Sequence, residues 1–98
     1  MSNYTLSPKK YFEKKFLKIT KNNKILKNKI IITLEKLSNN SNQPSLKSHK
    51  VKSKNFGIKW TSRVDKNIRI IWDYNEEKIN VIDIFDLGGH SGSKKIYK

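Results

Sequence analysis

The spacing of the apolar residues changes once along this chain, and the change constrains the fold more than any other feature. In the first part, Phe12, Phe16 and Ile19 recur at intervals of three or four residues, as residues on one face of a helix do. A second set with helical spacing consists of Leu26, Ile30, Leu34 and Leu37. From Phe56 onward, apolar and polar residues alternate, which is typical of strands with one buried face. The chain is therefore expected to form helices first and a sheet afterwards.

Two amphipathic helices are expected in the first part. Ser7 offers a side-chain oxygen as the N-cap of the first helix, and Pro8 suits the first helical position, where its missing N–H costs nothing. Asn22 and Asn23 interrupt the pattern, and the second helix runs to about Leu37. Because the link is so short, the two helices are predicted to form an antiparallel helical hairpin.

Strand-like sequence follows a loop that the composition predicts at residues 38–45. Two alternating runs cover residues 58–64 and 68–72, and a third, at 79–87, is apolar on both faces, which indicates an interior strand. Residues 4–6 are expected to add a short edge strand. The predicted fold class is α+β, with the helical hairpin packed on one face of an antiparallel β-sheet.

The first β-hairpin can be placed in register, because its apolar residues are all even-numbered. They share one face only if the numbers of paired residues sum to an even value, and the tightest such pairing sets Val64 opposite Ile68. Trp60 then faces Trp72. A three-residue loop remains, in which Asn67 is expected to adopt a left-handed conformation.

The same register sets Arg63 opposite Arg69 on the other face, and these are the only arginines in the chain. Like charges directly opposite each other destabilise a sheet, so the pair needs compensation. One interpretation is structural: each arginine extends into solvent or meets an acid such as Asp73 or Asp83. The other is that the pair binds a phosphate, since the planar guanidinium holds phosphate with two hydrogen bonds and lysine cannot. The placement of both arginines in one hairpin of a lysine-rich chain favours the second.

The charge of the chain favours a polyanionic partner. Its 98 residues suit one domain, residues 1–98, and carry 22 basic against 8 acidic residues, a formal net charge of +14. An AT-rich genome would also favour lysine, but it would favour glutamate as well, and acids are scarce. Before the hairpin come Lys47, Lys50, Lys52 and Lys54. They form either a solvated loop or edge strand, or a track for a nucleic-acid backbone.

Three further side chains are candidates for chemistry. His49 and His90 lack the spacing of a metal site, so neither a metal nor a cofactor is predicted. Read alone, each is more often a surface or capping residue. His90, however, follows two glycines at a strand end, and histidine is well suited to proton transfer near neutral pH. Tyr97 is either a stacking platform for a base or an anchor for the tail.

Several classes are excluded by composition. The absence of cysteine excludes disulfides, thiolate zinc ligands and a cysteine nucleophile. No apolar run approaches the ~18 residues of a membrane-spanning helix, and no hydrophobic signal region begins the chain. A cytoplasmic location without a membrane partner is therefore expected.

Taken together, five short stretches resemble the RelE/ParE toxin superfamily, and most closely its YafQ- and RelE-like mRNA interferases. They are HKVK at 49–52, WTSRV at 60–64, NIRIIW at 67–72, DLGGHS at 86–91 and IY at 96–97. The helical hairpin, with Phe12, Lys15 and Leu17, also fits. The resemblance spans nearly the whole chain, and the order and spacing of the stretches carry it.

The resemblance implies a microbial RNase-like fold, with two helices on a twisted antiparallel sheet. It implies metal-independent cleavage of mRNA in the ribosomal A site, by attack of the 2′-hydroxyl on the adjacent phosphate, with contacts to the ribosome and its rRNA. It also implies an inhibitory antitoxin, usually acidic, which the charge of +14 would suit. The basic lysines before the hairpin would hold the RNA backbone.

The resemblance assigns roles to individual residues. His49 matches a catalytic histidine of the YafQ branch, and His90 matches its late catalytic histidine. Arg63 falls where the family has a second histidine or a catalytic lysine, Arg69 matches an arginine of RelE-like members, and Tyr97 matches a terminal tyrosine or phenylalanine. Either histidine is expected to take the 2′-hydroxyl proton, and the other, or Tyr97, to protonate the leaving oxygen.

The sequence departs from the YafQ branch at two places: Asn67 stands where that branch has an acid, and the stretch before Tyr97 is longer. Two alternatives remain. A ParE-like toxin on the same fold would inhibit DNA gyrase without cutting RNA. A module that binds nucleic acid without catalysis would need only the charge. The combination of two histidines with two arginines favours the nuclease.

Overall fold

The computed structural model describes residues 4–89 and Ile96. Helices precede most of the sheet, as the change of period predicts. The elements are β1 (Thr5–Pro8), α1 (Lys10–Thr20), α2 (Lys24–Asn39), β2 (His49–Ser53), β3 (Gly57–Arg63), β4 (Ile68–Tyr74) and β5 (Val81–Gly89). A 3₁₀ turn, Pro44–Leu46, covers the last two residues of the predicted loop and the residue that follows them.

The first helix begins later than its local sequence indicates. Ser7 and Pro8 belong to β1, and Lys9 stands at the N-cap position without a side-chain hydrogen bond. The backbone of β1 pairs with β5, and the Lys9 N–H donates to the Ile84 carbonyl at 2.9 Å. The predicted Ser7 cap is therefore wrong, because pairing with a strand distant in sequence overrides the capping pattern. Asn23 does cap α2, since its side chain accepts from the Leu26 N–H at 3.0 Å.

The five strands form one sheet in the order β1-β5-β4-β3-β2. Strands β3 to β5 form the antiparallel meander that the sequence predicts, with β5 as an interior strand, and β2 extends the meander at its edge. The edge strand β1 is parallel to β5, so the sheet is mixed rather than wholly antiparallel. The α+β class, with helices packed on the sheet, is confirmed.

The core lies between the helices and one face of the sheet, which we call the helix face. Phe12 of α1 and both Ile30 and Leu37 of α2 are buried there against the sheet. The sheet contributes Ile70, Trp72, Ile82, Ile84 and Leu87. The buried residues of β5 change from even-numbered (Ile82 and Ile84) to odd-numbered (Leu87) positions. The reason is a bulge at Phe85, where the register with β4 shifts. No helix in the described part of the chain is long and apolar enough to span a membrane.

The opposite face of the sheet is concave. Ile96 joins the two ends of the meander, because its N–H donates to Gly89 and its carbonyl accepts from the Lys54 N–H, at 2.9 and 2.8 Å. These residues belong to β5 and to the end of β2, strands that are not neighbours in the sheet. The ring of Phe56, in the β2–β3 turn, also lies 5.3 Å from that of Phe85. Only a strongly curved sheet brings these parts together.

Candidate active site

The β3–β4 hairpin has the register that the sequence predicts. Trp60 lies opposite Trp72, with ring centroids 5.8 Å apart and planes 16° from parallel. Arg63 lies opposite Arg69. Because side chains alternate along a strand, the two arginines project from the concave face, opposite to the face that carries the tryptophans. We call this side of the sheet the arginine face.

The turn of this hairpin is held by a carboxylate. Oδ1 of Asp65 accepts from the backbone N–H groups of Asn67 and Ile68, both at 2.8 Å, and the Val64 N–H donates to the Ile68 carbonyl at 2.9 Å. Lys47, and not Asn67, is the non-glycine residue with a positive φ among those described. The expected left-handed Asn67 is therefore wrong. The Asp65 side chain closes the turn by local hydrogen bonds and makes that conformation unnecessary.

The two arginines are engaged to different extents. Nη1 of Arg69 donates to the carbonyl oxygens of Asp65 and Ile68, which offsets part of the repulsion between the paired cations. Arg63 makes no hydrogen bond or ion pair with residues 4–89 or Ile96. Neither arginine forms an ion pair with Asp73 or Asp83, the acids that the structural interpretation requires. Those acids pair with lysines instead: Asp73 with Lys59 at 3.7 Å and Asp83 with Lys9 at 3.3 Å.

His49 belongs to the same face and the same end of the sheet. It lies opposite Thr61, and Thr61 and Arg63 share a face because they are two residues apart on β3. The exposed His49 ring has Nδ1 3.0 Å from the Lys47 carbonyl oxygen. A carbonyl oxygen can only accept, so this contact is a hydrogen bond when Nδ1 carries the proton. In the neutral ring, Nε2 is then the free acceptor.

The four lysines of the predicted basic track do not act as one group. Lys50 and Lys52 lie opposite Trp60 and Ile58, so they project from the helix face, away from His49. Nζ of Lys50 is 5.3 Å from the centroid of the Trp60 ring. The exposed Lys47 precedes β2, and Lys54 follows it and lines a cavity beside α1. The alternation of the edge strand therefore divides the lysines between the two sides of the sheet.

His90 and Tyr97, the two remaining candidates, lie outside the described residues, so their predicted roles stay predictions. The chain immediately before His90 is described. Gly88 lies opposite Arg69, and Gly89 lies opposite Ile68. The last described residues of β5 are thus at the arginine end of the sheet.

Two charged residues to which the sequence assigned no role, Lys59 and Asp86, also lie on strands of the candidate site. Lys59 projects from the arginine face, two residues before Thr61 on β3, and its amine lies 5.0 Å from the Phe85 ring centroid. Its odd number, shared with Arg63, is the feature that could have identified it. Asp86 is fully buried in β5 and binds Nζ of Lys15 at 2.8 Å. A charge inside the apolar run at 79–87 marked it in the sequence.

No protein-family model matches the chain, and no curated protein matches it. Solved structures do match. They include YoeB in the YoeB–YefM complex from Staphylococcus aureus, with 20% identity over 90% of this chain and 98% of that chain and a TM-score of 0.67. YafQ from E. coli strain BL21(DE3) has 17% identity over 88% and 92% of the two chains, with a TM-score of 0.65. HP0894 from Helicobacter pylori has 24% identity over 89% and 94%, also with a TM-score of 0.65.

These likenesses confirm the RelE-like fold that the resemblance implies. YafQ has also been solved in a DinJ–YafQ toxin–antitoxin complex, and YoeB in a YoeB–YefM toxin–antitoxin complex. With identities of 15–24%, the likeness establishes the fold alone. The activity has to be inferred from the arrangement of the side chains.

Proposed function

We propose that this chain, which has the RelE-like fold of YoeB and YafQ, is the toxin of a type II toxin–antitoxin system and an endoribonuclease that cleaves mRNA. The observation that carries the proposal is the grouping of His49, Arg63 and Arg69 on one face and at one end of the sheet. A proton acceptor beside two guanidinium groups suits phosphate chemistry on RNA. A protein that only binds nucleic acid has no need of it.

In the proposed reaction, the ribose 2′-oxygen attacks the adjacent phosphorus. The P–O5′ bond breaks, and the products are a 2′,3′-cyclic phosphate and a 5′-hydroxyl. Nε2 of His49 takes the 2′-hydroxyl proton, because Nδ1 is held as a donor by the Lys47 carbonyl. The free guanidinium of Arg63 and the remaining N–H groups of Arg69 stabilise the negative charge that develops on the phosphorane oxygens. The leaving 5′-oxygen is protonated by His90 or Tyr97, the groups that the family resemblance assigns.

The charge distribution supports the proposed partners. Lys47 and Lys54 flank β2, and Lys50 and Lys52 project from β2 on the helix face. RNA that contacts these lysines and His49 would therefore meet both sides of this edge strand. In the ribosome, rRNA could meet the lysines while mRNA occupies the arginine face. The net charge of +14 also suits an acidic antitoxin, and YafQ and YoeB supply the precedent for such a partner. We place these events in the cytoplasm, where mRNA is translated.

The test is primer extension on a reporter mRNA in a reconstituted translation system, comparing wild type with Arg63→Lys. The variant keeps the positive charge but loses the planar fork, and the side chain has no described partner whose loss could disturb the fold. We expect discrete cuts from wild type and a cleavage rate lower by at least about tenfold for Arg63→Lys, on the order of one transition-state hydrogen bond to a charged group.

The matched control is Lys66→Ala, which removes an exposed cation from the same hairpin turn and is expected to cleave at the wild-type rate. If wild type makes no cuts with or without ribosomes, the nuclease assignment is wrong. A DNA-damage response in cells expressing the protein would then favour gyrase inhibition.

A further inference from the structure

A cavity of about 680 Å³ lies between the two helices and the ends of β2, β4 and β5. Three lysine side chains line it: Lys15 and Lys18 from α1, and Lys54 from the end of β2. Aliphatic side chains, among them Ile19 and Leu26, form part of the same wall. The size falls within the range of ligand pockets, and the lining combines cations with an apolar surface.

One of the three lysines, Lys15, is held in place by an acidic residue of β5. Nζ of Lys15 lies 2.8 Å from Oδ1 of the buried Asp86 and 5.3 Å from the centroid of the Tyr11 ring. Asp86 neutralises Lys15. Lys18 and Lys54 make no ion pair with the described residues, so the cavity keeps an excess of two positive charges. Such an excess favours an anionic occupant.

The aliphatic part of the wall points to the chemistry of the rest of the occupant. Ile19 and Leu26 offer an apolar surface on which the flat face of a nucleobase can pack while the lysines bind its phosphate. The acidic side chains of a peptide would satisfy the lysines and leave this apolar surface uncovered. This difference favours a nucleotide over an acidic peptide.

The cavity adjoins the candidate active site. Ile68, the neighbour of Arg69 on β4, lines it, and so does Gly88, which lies opposite Arg69 on β5. An anion in the cavity would therefore lie next to the arginine pair along the ends of the strands. A strand of RNA whose phosphate is bound by the arginines could place a neighbouring nucleotide here.

We propose that this cavity binds one nucleotide of single-stranded RNA next to the bond that is cleaved. Lys18 and Lys54 bind its phosphate, and its base packs on the aliphatic wall formed by Ile19 and Leu26. Asp86 acts as a positioning residue, since it fixes the Lys15 amine at the cavity wall. The proposal rests on the proposed function for the identity of the strand, but it assigns binding to side chains of α1, α2 and the residue after β2, none of which takes part in the chemistry.

The experiment is fluorescence anisotropy with a labelled five-nucleotide 2′-O-methyl RNA, which lacks the attacking hydroxyl and cannot be cleaved. Lys18→Glu,Lys54→Glu is compared with Lys24→Glu,Lys27→Glu, a matched pair of charge reversals at exposed positions of α2 outside the cavity lining. We expect the cavity variant to bind about tenfold more weakly than the control variant, the scale of one packed base with its phosphate. Equal affinities would overturn the proposal, because net charge alone would then explain binding.

A second measurement distinguishes a nucleotide from a bare phosphate. The same oligonucleotide with abasic residues keeps every phosphate and loses the bases. We expect wild type to bind the complete probe about tenfold more tightly than this abasic probe, and the Leu26→Ala variant, which shortens the aliphatic wall, to lose most of that preference. A wild-type preference below about twofold, or one that Leu26→Ala leaves intact, would show that no base packs on this wall and would overturn the assignment of a base site. Neither result depends on cleavage, so failure of the nuclease chemistry in the Arg63→Lys experiment is recognised separately.

Discussion

At the scale of single residues, the site depends on one backbone carbonyl. Lys47 adopts a left-handed conformation, with φ of 49°, at the end of the 3₁₀ turn, and its carbonyl faces Nδ1 of His49. This hydrogen bond selects the tautomer in which Nε2 is free to accept a proton. A general base also needs its acceptor nitrogen oriented, and the carbonyl that orients the His49 ring belongs to a residue only two positions away.

Replacement of His49 by alanine should therefore slow cleavage at least ~10²-fold, the usual contribution of a general base. The side chain is exposed, and its described hydrogen bond is local, so the thermal unfolding midpoint should not change. Single-turnover cleavage of a labelled RNA measures the rate. Glu77→Ala, at an exposed position of the β4–β5 turn, serves as the control and should cleave like wild type. Equal rates for His49→Ala and wild type would remove His49 from the mechanism.

At the scale of elements, hydrogen bonds to a single residue, Asp65, stabilise the β3–β4 hairpin of the site. The Asp65 carboxylate holds two N–H groups of the turn, and the Asp65 carbonyl accepts from Arg69. The same residue thus closes the hairpin and anchors one of the two paired cations. An ion pair of Asp65 with Lys29, at 3.9 Å and half exposed, adds little.

The Asp65→Ala variant should lower the free energy of unfolding by about 1–2 kcal/mol, as the loss of a capping side chain does. Asp65→Asn retains a side-chain oxygen acceptor and should lose clearly less. Urea unfolding followed by circular dichroism compares the two. If both variants lose the same stability, the carboxylate charge matters and the turn hydrogen bonds do not.

The hairpin and the first helix show what the sequence can predict. Register followed from the even-numbered apolar residues, because one face of the hairpin had to be buried, and this alone set Arg63 opposite Arg69. The prediction of the Ser7 cap was wrong because β1 pairs with residues 81–84, and nothing in the sequence around Ser7 indicates this contact. Lys15 and Asp86 are likewise 71 positions apart, so their ion pair was beyond local reasoning.

The division of the four lysines between the two sides of the sheet could not be predicted, for a different reason. A loop and an edge strand were both compatible with residues 47–54, and only the formation of β2 determines that Lys50 and Lys52 project away from His49. Strand alternation decides which side chains share a face, and it cannot be applied before the strand and its register are known.

At the scale of the whole molecule, charge is separated along the sheet. Four of the eight acids lie around the β4–β5 turn, at the end opposite the arginines: Asp73, Glu76, Glu77 and Asp83. Asp73 and Asp83 are paired with Lys59 and Lys9, but Glu76 and Glu77 form no ion pair within the described residues, so this end would attract a polyanion less than the arginine end does. The molecule would therefore approach RNA in one orientation, with the candidate active site leading.

This polarity can be measured from the salt dependence of RNA binding. Arg63→Ala should reduce the slope of log K against log salt by about 0.7, the value for one phosphate contact with a single strand. Glu76→Gln,Glu77→Gln changes the net charge by more but at the far end, and the slope should remain that of wild type. Anisotropy titrations with 2′-O-methyl RNA at several salt concentrations give both slopes. Equal slopes for Arg63→Ala and wild type would mean that Arg63 does not contact a phosphate.

The central claim, cleavage by a ribose 2′-hydroxyl at the arginine face, is tested most directly by the chemistry of the product ends. A reporter mRNA is cut by the wild-type protein, and the mapped site is then replaced by a single 2′-deoxy nucleotide. We predict a 2′,3′-cyclic phosphate and a 5′-hydroxyl from the unmodified mRNA, and no cleavage at the 2′-deoxy position. Cleavage that continues at the 2′-deoxy position, or no cleavage of either mRNA, would contradict the proposed function.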